Sequence, residues 1–156
     1  MGISELTQED IKKAYDFIKG IIFNTKYYSV KARKAEIERF KRHNLLKELK
    51  DKSNLYLIAK DKGKIIGFCN GYYEAGTFWI DWAGIDKNYR RNGIAVKLLN
   101  FLENKLKKQG VHKIWCDCRT SNKESKALLK KLNLKKITTI KNHWYNQDFI
   151  LWQKFI

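Results

Sequence analysis

A short basic turn between two apolar stretches holds the residues of this chain that are best suited to bind a ligand. It contains Arg90, Arg91 and Gly93, and an amphipathic stretch starts directly after it at Ile94. If that stretch forms a helix, its first backbone N–H groups have no partner within the helix and attract phosphate. Two guanidinium groups add charge-assisted hydrogen bonds, and a glycine keeps the N–H groups open to a diphosphate. The turn therefore predicts a site for a phosphate-bearing ligand.

The elements on either side of the turn suit this purpose. Residues 77–85 form an apolar, strand-like run, and Gly84 within it predicts a bulge or a close approach by other backbone. The stretch after the turn has one apolar face at helical spacing and ends at Gly110. That face consists of Ala95, Leu98, Leu99, Leu102 and Leu106. The sequence thus predicts strand, turn and helix in the order that a phosphate-binding motif requires.

The rest of the sequence predicts two helices and two strands before the strand at 77–85. It predicts three strands and one helix after the helix that ends at Gly110. One helix contains Ile11 to Ile22, and a second covers about residues 31–51 with a bend or break near His43 and Asn44. A polar and aromatic connector, residues 24–29, joins the two helices. The other elements are strands at 55–59 and 64–73, a strand at 113–118, a helix at 122–132, and strands at 135–141 and 148–155.

The predicted element order is therefore ααβββαβαββ, in a single domain of residues 1–156. The first three strands form an antiparallel meander, whereas the strand–helix–strand crossovers that follow imply local parallel pairing. The predicted fold class is α/β (α+β), with a mixed, mostly antiparallel central sheet that is flanked by helices.

Length and composition exclude several classes of protein. With 156 residues, 44% of them hydrophobic and 13% aromatic, the chain can bury a core and is not a disordered segment. No apolar run approaches the roughly 20 residues of a membrane span, and the N-terminus lacks the pattern of a secretory signal. Three cysteines without zinc-ligand spacing predict reduced thiols in the cytoplasm and no metal site.

The net charge of +17 is the main argument for a nucleic-acid-binding function. Such a field attracts polyanions, namely nucleic acid, an anionic membrane or coenzyme A. Aromatic residues such as Tyr27, Tyr28 and Trp144 add to the case for a nucleic-acid-binding basic domain. That domain would cluster its basic residues on one surface, whereas lysine here is spread over every segment. The spread favours a Lys-rich compositional background.

Two motifs in the chain resemble those of a known family. Residues 85–95, IDKNYRRNGIA, resemble the acyl-CoA-binding motif of the GCN5-related N-acetyltransferases (GNAT), with Ala95 where glycine is commoner. The family's second motif is similar to Asn122-x-x-Ser125-x-x-Leu128-Leu129-x-x-Leu132-Asn133-Leu134. The order of elements from about Leu55 onward also matches. The resemblance implies a GNAT-like fold and an acetyl-CoA-dependent N-acetyltransferase.

The resemblance also implies how acetyl-CoA lies in the site. The strand that carries Asp81 and the strand that carries Cys116 splay apart to admit the thioester. Asn122 and Ser125 lie along the cofactor. Backbone groups that pair with the pantetheine arm like an added strand belong to Ala83, Gly84 and Ile85. Residues that hold the pyrophosphate, through backbone N–H groups or as the flanking arginine, are Arg90, Arg91, Asn92, Gly93, Ile94 and Ala95.

Amine acylation requires a neutral amine, a polarised thioester carbonyl and a proton for the departing thiolate. Asp81 and Glu74 are the carboxylates nearest the expected cleft, and either could accept the amine proton directly or through water. A solvated or salt-bridged carboxylate is the equally weighted alternative for each. Alternation along the strand places Asp81 opposite Ile80 and Trp82. The N–H near Ile85 is expected to polarise the carbonyl.

The third requirement exposes a departure from the family. Many members carry a tyrosine at the position of Leu129 to protonate the departing sulfur, and leucine cannot do so. Tyr145, in the aromatic loop after the predicted strand at 135–141, is the preferred replacement. Tyr89 and solvent water are alternatives, and so is a weak or absent activity.

The predicted function is transfer of an acetyl group from acetyl-CoA to a primary amine. The acceptor could be a protein N-terminus, a lysine, a polyamine or another small amine, and the basic field favours a peptide or a small neutral amine over a strongly cationic one. Two alternatives stay open: the nucleic-acid-binding domain, and a catalytically weak member that binds CoA and regulates a partner. A homodimer is also open, and no membrane partner is expected.

Overall fold

The computed structural model describes residues 1–156 and contains one mixed sheet of seven strands with helices on both faces. The strands are β1 (Gly2–Glu5), β2 (Asn54–Asp61), β3 (Lys64–Glu74), β4 (Thr77–Ile85), β5 (Lys113–Arg119), β6 (Lys135–Ile140) and β7 (Phe149–Phe155). The helices are α1 (Ile11–Asn24), α2 (Val30–Arg39), α3 (Arg42–Glu48), α4 (Ile94–Lys108) and α5 (Lys123–Lys131). None of these helices has the length and hydrophobicity needed to cross a membrane.

The sheet has the spatial order β1-β2-β3-β4-β5-β7-β6, and only β4 and β5 pair in parallel. Helix α4 is the crossover between these two strands, as parallel pairing requires. Their pairing covers four positions and ends at Ile80 and Cys116. Beyond that point the two strands diverge, which opens a gap in the middle of the sheet. The predicted fold class and the splayed central strands are therefore confirmed.

Each face of the sheet buries its own hydrophobic cluster. Helices α4 and α5 cover one face, where Leu98, Leu102 and Leu106 pack against residues such as Phe78. Helices α1 to α3 cover the other face with a second cluster that includes Phe68. Burial of a leucine side chain of this kind contributes about 1.5–3 kcal/mol. The two clusters hold the strands on both sides of the gap in place.

The N-terminal half differs from the predicted element order in two places. Strand β1 was not predicted, because four residues carry too little alternation to be recognised; it pairs antiparallel with β2. The predicted second helix is two helices, and the break lies at Phe40 and Lys41, not at His43 and Asn44. Phe40 is buried and packs against Phe68 and Trp82, which turns the chain at this point. The corrected order is βαααβββαβαββ.

A bulge in β4 re-aims one of the predicted catalytic side chains. Asn70 pairs with Trp82 and Gly71 pairs with Ile80, so Asp81 is an extra residue without a partner in β3. The prediction that Asp81 lies opposite Trp82 is wrong for this reason, since both now contact the end of α2. Gly84 marks no bulge; a Cβ there would lie 2.6 Å from the Trp82 ring, so it permits close approach of a side chain.

Candidate active site

The basic turn has the geometry of an anion site. Gly93 caps α4 in the left-handed region, with φ of 73°, and offers no side chain to the helix. The N–H of Lys97 donates to Gly93 O at 3.0 Å, so the preceding helical N–H groups, those of Ile94, Ala95 and Val96, have no partner in the helix. A Cβ at Gly93 would meet no protein atom within 4 Å, which shows that the space above these groups is open. This arrangement fits a diphosphate.

Arg90 connects the turn by hydrogen bonds to the end of β4 and to the start of α5. Its Nε donates to Ile85 O at 3.3 Å and its Nη1 donates to Glu124 Oε2 at 3.3 Å. Both side chains of the ion pair are exposed, so the pair contributes at most about 1 kcal/mol and exchanges readily with a ligand. Arg91 is exposed beside it and extends the basic surface.

The end of β4 presents unpaired backbone groups to the gap. The N–H of Asp86 donates to Ile66 O at 2.9 Å, which sets the alternation of the antiparallel ladder with β3. The N–H and C=O groups of Ala83 and Ile85 therefore point away from β3, toward the place where pairing with β5 has ended. Gly84 instead turns its backbone groups toward β3. An extended ligand can thus pair with Ala83 and Ile85.

The start of α5 forms the opposite wall of the cofactor groove. Asn122 caps this helix, since its Oδ1 accepts from the Ser125 N–H at 3.0 Å. The Asn122 Nδ2 also donates to the hydroxyl of Tyr27 at 3.0 Å, a contact between residues 95 positions apart. Both predicted residues of the second motif therefore lie at the groove, and one of them contacts the connector between α1 and α2.

One cavity of about 1270 Å³ joins these parts, which is ample for an extended cofactor and a small acceptor group. Every predicted site residue lines it except Asn92. The structure thus brings the predicted turn, strand end and second motif together around one space.

The two predicted carboxylates do not stand equally close to the gap. Asp81 forms an ion pair with Arg39 and accepts from Asn70 Nδ2 at 2.9 Å. Glu74 is exposed and pairs with Thr77, four residues before Asp81, which is roughly 13 Å along the strand. Asp81 is therefore a salt-bridged carboxylate, which is the alternative given for it above. Glu74 lies at the end of the strands where β4 and β5 are still paired, away from the gap.

A third carboxylate, which no sequence pattern singles out, stands at the gap itself. Asp117 follows Cys116, the last residue of β5 that pairs with β4, and it lines the cavity. Burial raises the pKa of Asp117 above its ordinary value, and a hydrogen bond from Trp144 Nε1 at 3.0 Å partly opposes this rise. His143 Nε2 lies 3.9 Å from the same carboxylate. The sequence signal for Asp117 is its position directly after Cys116, in the strand that is expected to splay away from the strand with Asp81.

Tyr145 lies in the loop between β6 and β7 and lines the same cavity. Burial and the nearby Glu36 carboxylate raise the pKa of Tyr145, so its hydroxyl keeps its proton at neutral pH. Tyr89 also lines the cavity, at the turn before α4. Leu129 is buried within the hydrophobic cluster under α4 and α5, and it brings no hydroxyl to the cofactor groove.

Comparison with known proteins agrees with this geometry. The acetyltransferase (GNAT) family model matches residues 21–134, a range that contains both motifs. The [ribosomal protein bS18]-alanine N-acetyltransferase of Escherichia coli (strain K12) is 33% identical over 64 residues, which are 41% of this chain. The match spans only 43% of that relative's length.

Solved structures show the same fold over nearly the whole chain. The ribosomal-protein-S18-alanine N-acetyltransferase from Escherichia coli has a TM-score of 0.78 at 22% identity, with 99% of this chain and 93% of that chain covered. The PaiA N-acetyltransferase from Thermoplasma acidophilum, in complex with coenzyme A, has a TM-score of 0.82 at 19% identity, and both chains are fully covered. These likenesses show the predicted fold, and the family model confirms the predicted resemblance to the acetyltransferases. Because the family model covers well over half of the chain and both motifs, the chain belongs to the acetyltransferase (GNAT) family.

Proposed function

We propose that this protein transfers the acetyl group of acetyl-CoA to the N-terminal amino group of a protein or peptide. The observation that carries the proposal is the half-buried Asp117 carboxyl on the β5 side of the gap, with the free backbone groups of Ala83 and Ile85 on the β4 side. The name of the matched relative, which acts on an alanine of ribosomal protein bS18, supports a peptide amine as acceptor.

The cofactor half of the site follows from backbone geometry. The N–H groups from Arg91 to Ala95, among them the unpartnered groups of Ile94 and Ala95, hold the pyrophosphate, and the N–H and C=O groups of Ala83 and Ile85 pair with the amides of the pantetheine arm. Asn122 and Ser125 line the other side of the arm. The divergence after Ile80 leaves room for the thioester, which supplies the acetyl group.

The chain's own groups meet the three chemical requirements in turn. The Asp117 carboxylate accepts a proton from the acceptor ammonium, and its raised pKa makes it a better base than an exposed aspartate. The Ile85 N–H donates to the carbonyl oxygen as negative charge builds there. Tyr145, in place of the tyrosine missing at Leu129, donates a proton to the departing thiolate and recovers one through solvent when the acylated nitrogen loses its second proton.

Asp117 is the preferred base because its competitors are engaged or distant. The Asp81 carboxylate is held by Arg39 and by Asn70, and a proton acceptor in an ion pair is a weaker base. We propose that Asp81 orients Arg39 at the acceptor side. Glu74 does not contact the reacting groups and affects them only through its negative charge.

The acceptor enters through an open, aromatic mouth. Tyr27, Tyr72 and Trp144 line the cavity and are all exposed at its rim. Exposed aromatic rings at the rim give the continuing chain of a peptide a surface to pack against beyond the reacting amine. The net charge of +17 disfavours strongly cationic small amines at long range.

We further propose that residues 1–156 act as one N-acetyltransferase domain in the cytoplasm. All three cysteines are free and buried, which is the usual state in a reducing compartment.

Release of free thiol from acetyl-CoA tests the acceptor class. The panel contains a lysine-free peptide with a free N-terminus, an N-acetylated peptide with one lysine, and spermidine. We expect thiol release with the first peptide only. Turnover confined to lysine or spermidine would contradict the proposed acceptor. Thermal stabilisation by acetyl-CoA without turnover on any amine would indicate a CoA-binding regulatory protein, the alternative that the leucine at position 129 suggests. Stabilisation by DNA or RNA alone would indicate the nucleic-acid-binding alternative.

A further inference from the structure

Arg119, the last residue of β5, is buried to an unusual degree for an arginine, with 9% of its surface exposed. The groups that it touches are neutral. Its Nε donates to Gln147 Oε1 at 2.6 Å, and its guanidinium carbon lies 4.4 Å from the centre of the Tyr28 ring and 5.4 Å from that of Tyr27. A buried cation without a carboxylate partner is costly unless its surroundings hold it in place. Three aromatic rings, of which Phe149 is the third at 5.1 Å, take that role.

These contacts join two segments that border the acceptor mouth. The first, which we call the strap, is the connector from Thr25 to Ser29. The second, the acceptor loop, runs from His143 to Gln147 and is closed by a hydrogen bond of 2.8 Å from His143 N–H to Gln147 O. Gln147 Nε2 also donates to Tyr27 O at 3.2 Å. Arg119 thus lies where the strap and the acceptor loop meet.

The acceptor loop in turn holds the proposed base. Trp144, three residues before Gln147, donates to the Asp117 carboxylate. A continuous series of contacts therefore leads from Arg119 through Gln147 and Trp144 to Asp117. None of these four residues is a predicted cofactor-binding residue, and the strap contacts the cofactor groove only through the hydrogen bond from Asn122 to the Tyr27 hydroxyl.

We propose that Arg119 is a positioning residue for the acceptor: it clamps the strap to the acceptor loop and thereby fixes the acceptor mouth and the Asp117 carboxylate. The kinetic part of this inference rests on the proposed function. A lysine cannot replace Arg119, because a guanidinium has several N–H donors and can lie over the Tyr28 ring while its Nε donates to Gln147.

The first test compares Arg119→Met with Arg42→Met, a matched change at an exposed arginine of α3. In the Arg119 variant we expect KM for the acceptor peptide to rise about tenfold, with KM for acetyl-CoA within about twofold of wild type. Arg119→Lys is expected to show the same rise. Equal changes in both KM values, or full activity in Arg119→Lys, would overturn the clamp.

The second test asks whether Arg119 acts through the acceptor loop. The variant Arg119→Met with Gln147→Ala is expected to be no worse than the more damaged single variant, since both remove one connection. The acid limb of kcat is expected to move to higher pH in Arg119→Lys, which keeps the positive charge that also lowers the pKa of Asp117, because a loosened Trp144 no longer donates to that carboxylate. Additive losses, or an unmoved acid limb, would contradict the proposal.

A third readout does not depend on activity. Amide hydrogen exchange in Arg119→Met is expected to accelerate in residues 25–29 and 143–147 and to stay unchanged in α4. Unchanged exchange in both segments would overturn the clamp. If wild type fails to acetylate the peptide, the proposed function fails, while the exchange measurement still decides the role of Arg119.

Discussion

Trp144 Nε1 donates a hydrogen bond of 3.0 Å to Asp117 Oδ2, and this bond joins the acceptor loop to the carboxyl at the gap in the sheet. The indole N–H stabilises the Asp117 carboxylate by a hydrogen bond. Because the indole is uncharged, it does not neutralise the carboxylate as the cation of an ion pair would. Burial raises the pKa of Asp117 and the Trp144 bond opposes that rise. The carboxyl is thereby oriented and kept more basic than an exposed aspartate, as a general base requires.

The isosteric change Asp117→Asn removes the proposed base and keeps an acceptor for Trp144. We expect kcat to fall roughly 10²–10⁴-fold, which is the usual contribution of a general base. The affinity for acetyl-CoA, measured by calorimetry, should stay unchanged, since Asp117 does not contact the phosphate turn.

Asp81→Asn is the matched comparison for that variant. It alters the other aspartate of the cavity and disturbs the ion pair with Arg39. A larger loss of kcat in Asp81→Asn than in Asp117→Asn would transfer the role of base to Asp81, one of the two candidates that the sequence indicates.

The pH dependence of kcat follows from the raised pKa of Asp117. The active form is the carboxylate, so kcat at saturating peptide falls as the pH drops through that pKa. We expect the acid limb to lie above the ordinary aspartate value of about 3.9. Thiol release between pH 4 and 8 measures it, and a limb that persists unchanged in Asp117→Asn would belong to another group.

The stability of the fold should depend on pH in the opposite sense. A carboxyl whose pKa is raised by folding binds its proton more tightly in the folded state, so its contribution is present below the unfolded pKa and is lost as pH rises through the folded pKa. Asp117→Asn escapes this loss. We therefore expect Asp117→Asn to gain free energy of unfolding relative to wild type as pH rises from about 4 to neutrality, as measured by urea denaturation. A constant difference across that range would show that Asp117 is not perturbed.

The phosphate turn is tested by Gly93→Glu, with Gly110→Glu as its control. Both glycines have φ of 73° and open space above them, and they lie at opposite ends of α4. Each variant should therefore lose a similar free energy of unfolding, about 1–3 kcal/mol. Only Gly93→Glu should lose acetyl-CoA affinity, by at least about a hundredfold, through steric block and repulsion of the diphosphate. Equal affinities in calorimetry would contradict the assignment of the turn.

The proton donor is tested by Tyr145→Phe beside Tyr89→Phe, since both hydroxyls line the cavity. If Tyr145 protonates the thiolate, its loss should lower kcat about tenfold to a hundredfold, whereas Tyr89→Phe should stay within about twofold. Equal activity of Tyr145→Phe and wild type would leave water as the donor.

Local signals explain what was predictable from the sequence. The turn from Arg90 to Gly93 and the apolar face of α4 lie close together in the chain, so spacing alone indicates a helix start with free N–H groups. The family resemblance then placed Asn122 and Ser125 at the same groove. Features that depend on distant partners were not predictable. The bulge at Asp81 arises from register with β3, and the clamp at Arg119 depends on Gln147 and Tyr28, neither of which is near it in sequence.

The most direct test of the account is a crystal structure with a bisubstrate analogue that joins the sulfur of coenzyme A to the N-terminal nitrogen of a peptide. We predict that the pyrophosphate contacts the N–H groups at Gly93, and that the linked nitrogen lies in the gap within hydrogen-bond reach of Asp117, directly or through one water. A linked nitrogen that lies against Asp81 or Glu74, or a diphosphate bound away from the start of α4, would contradict it.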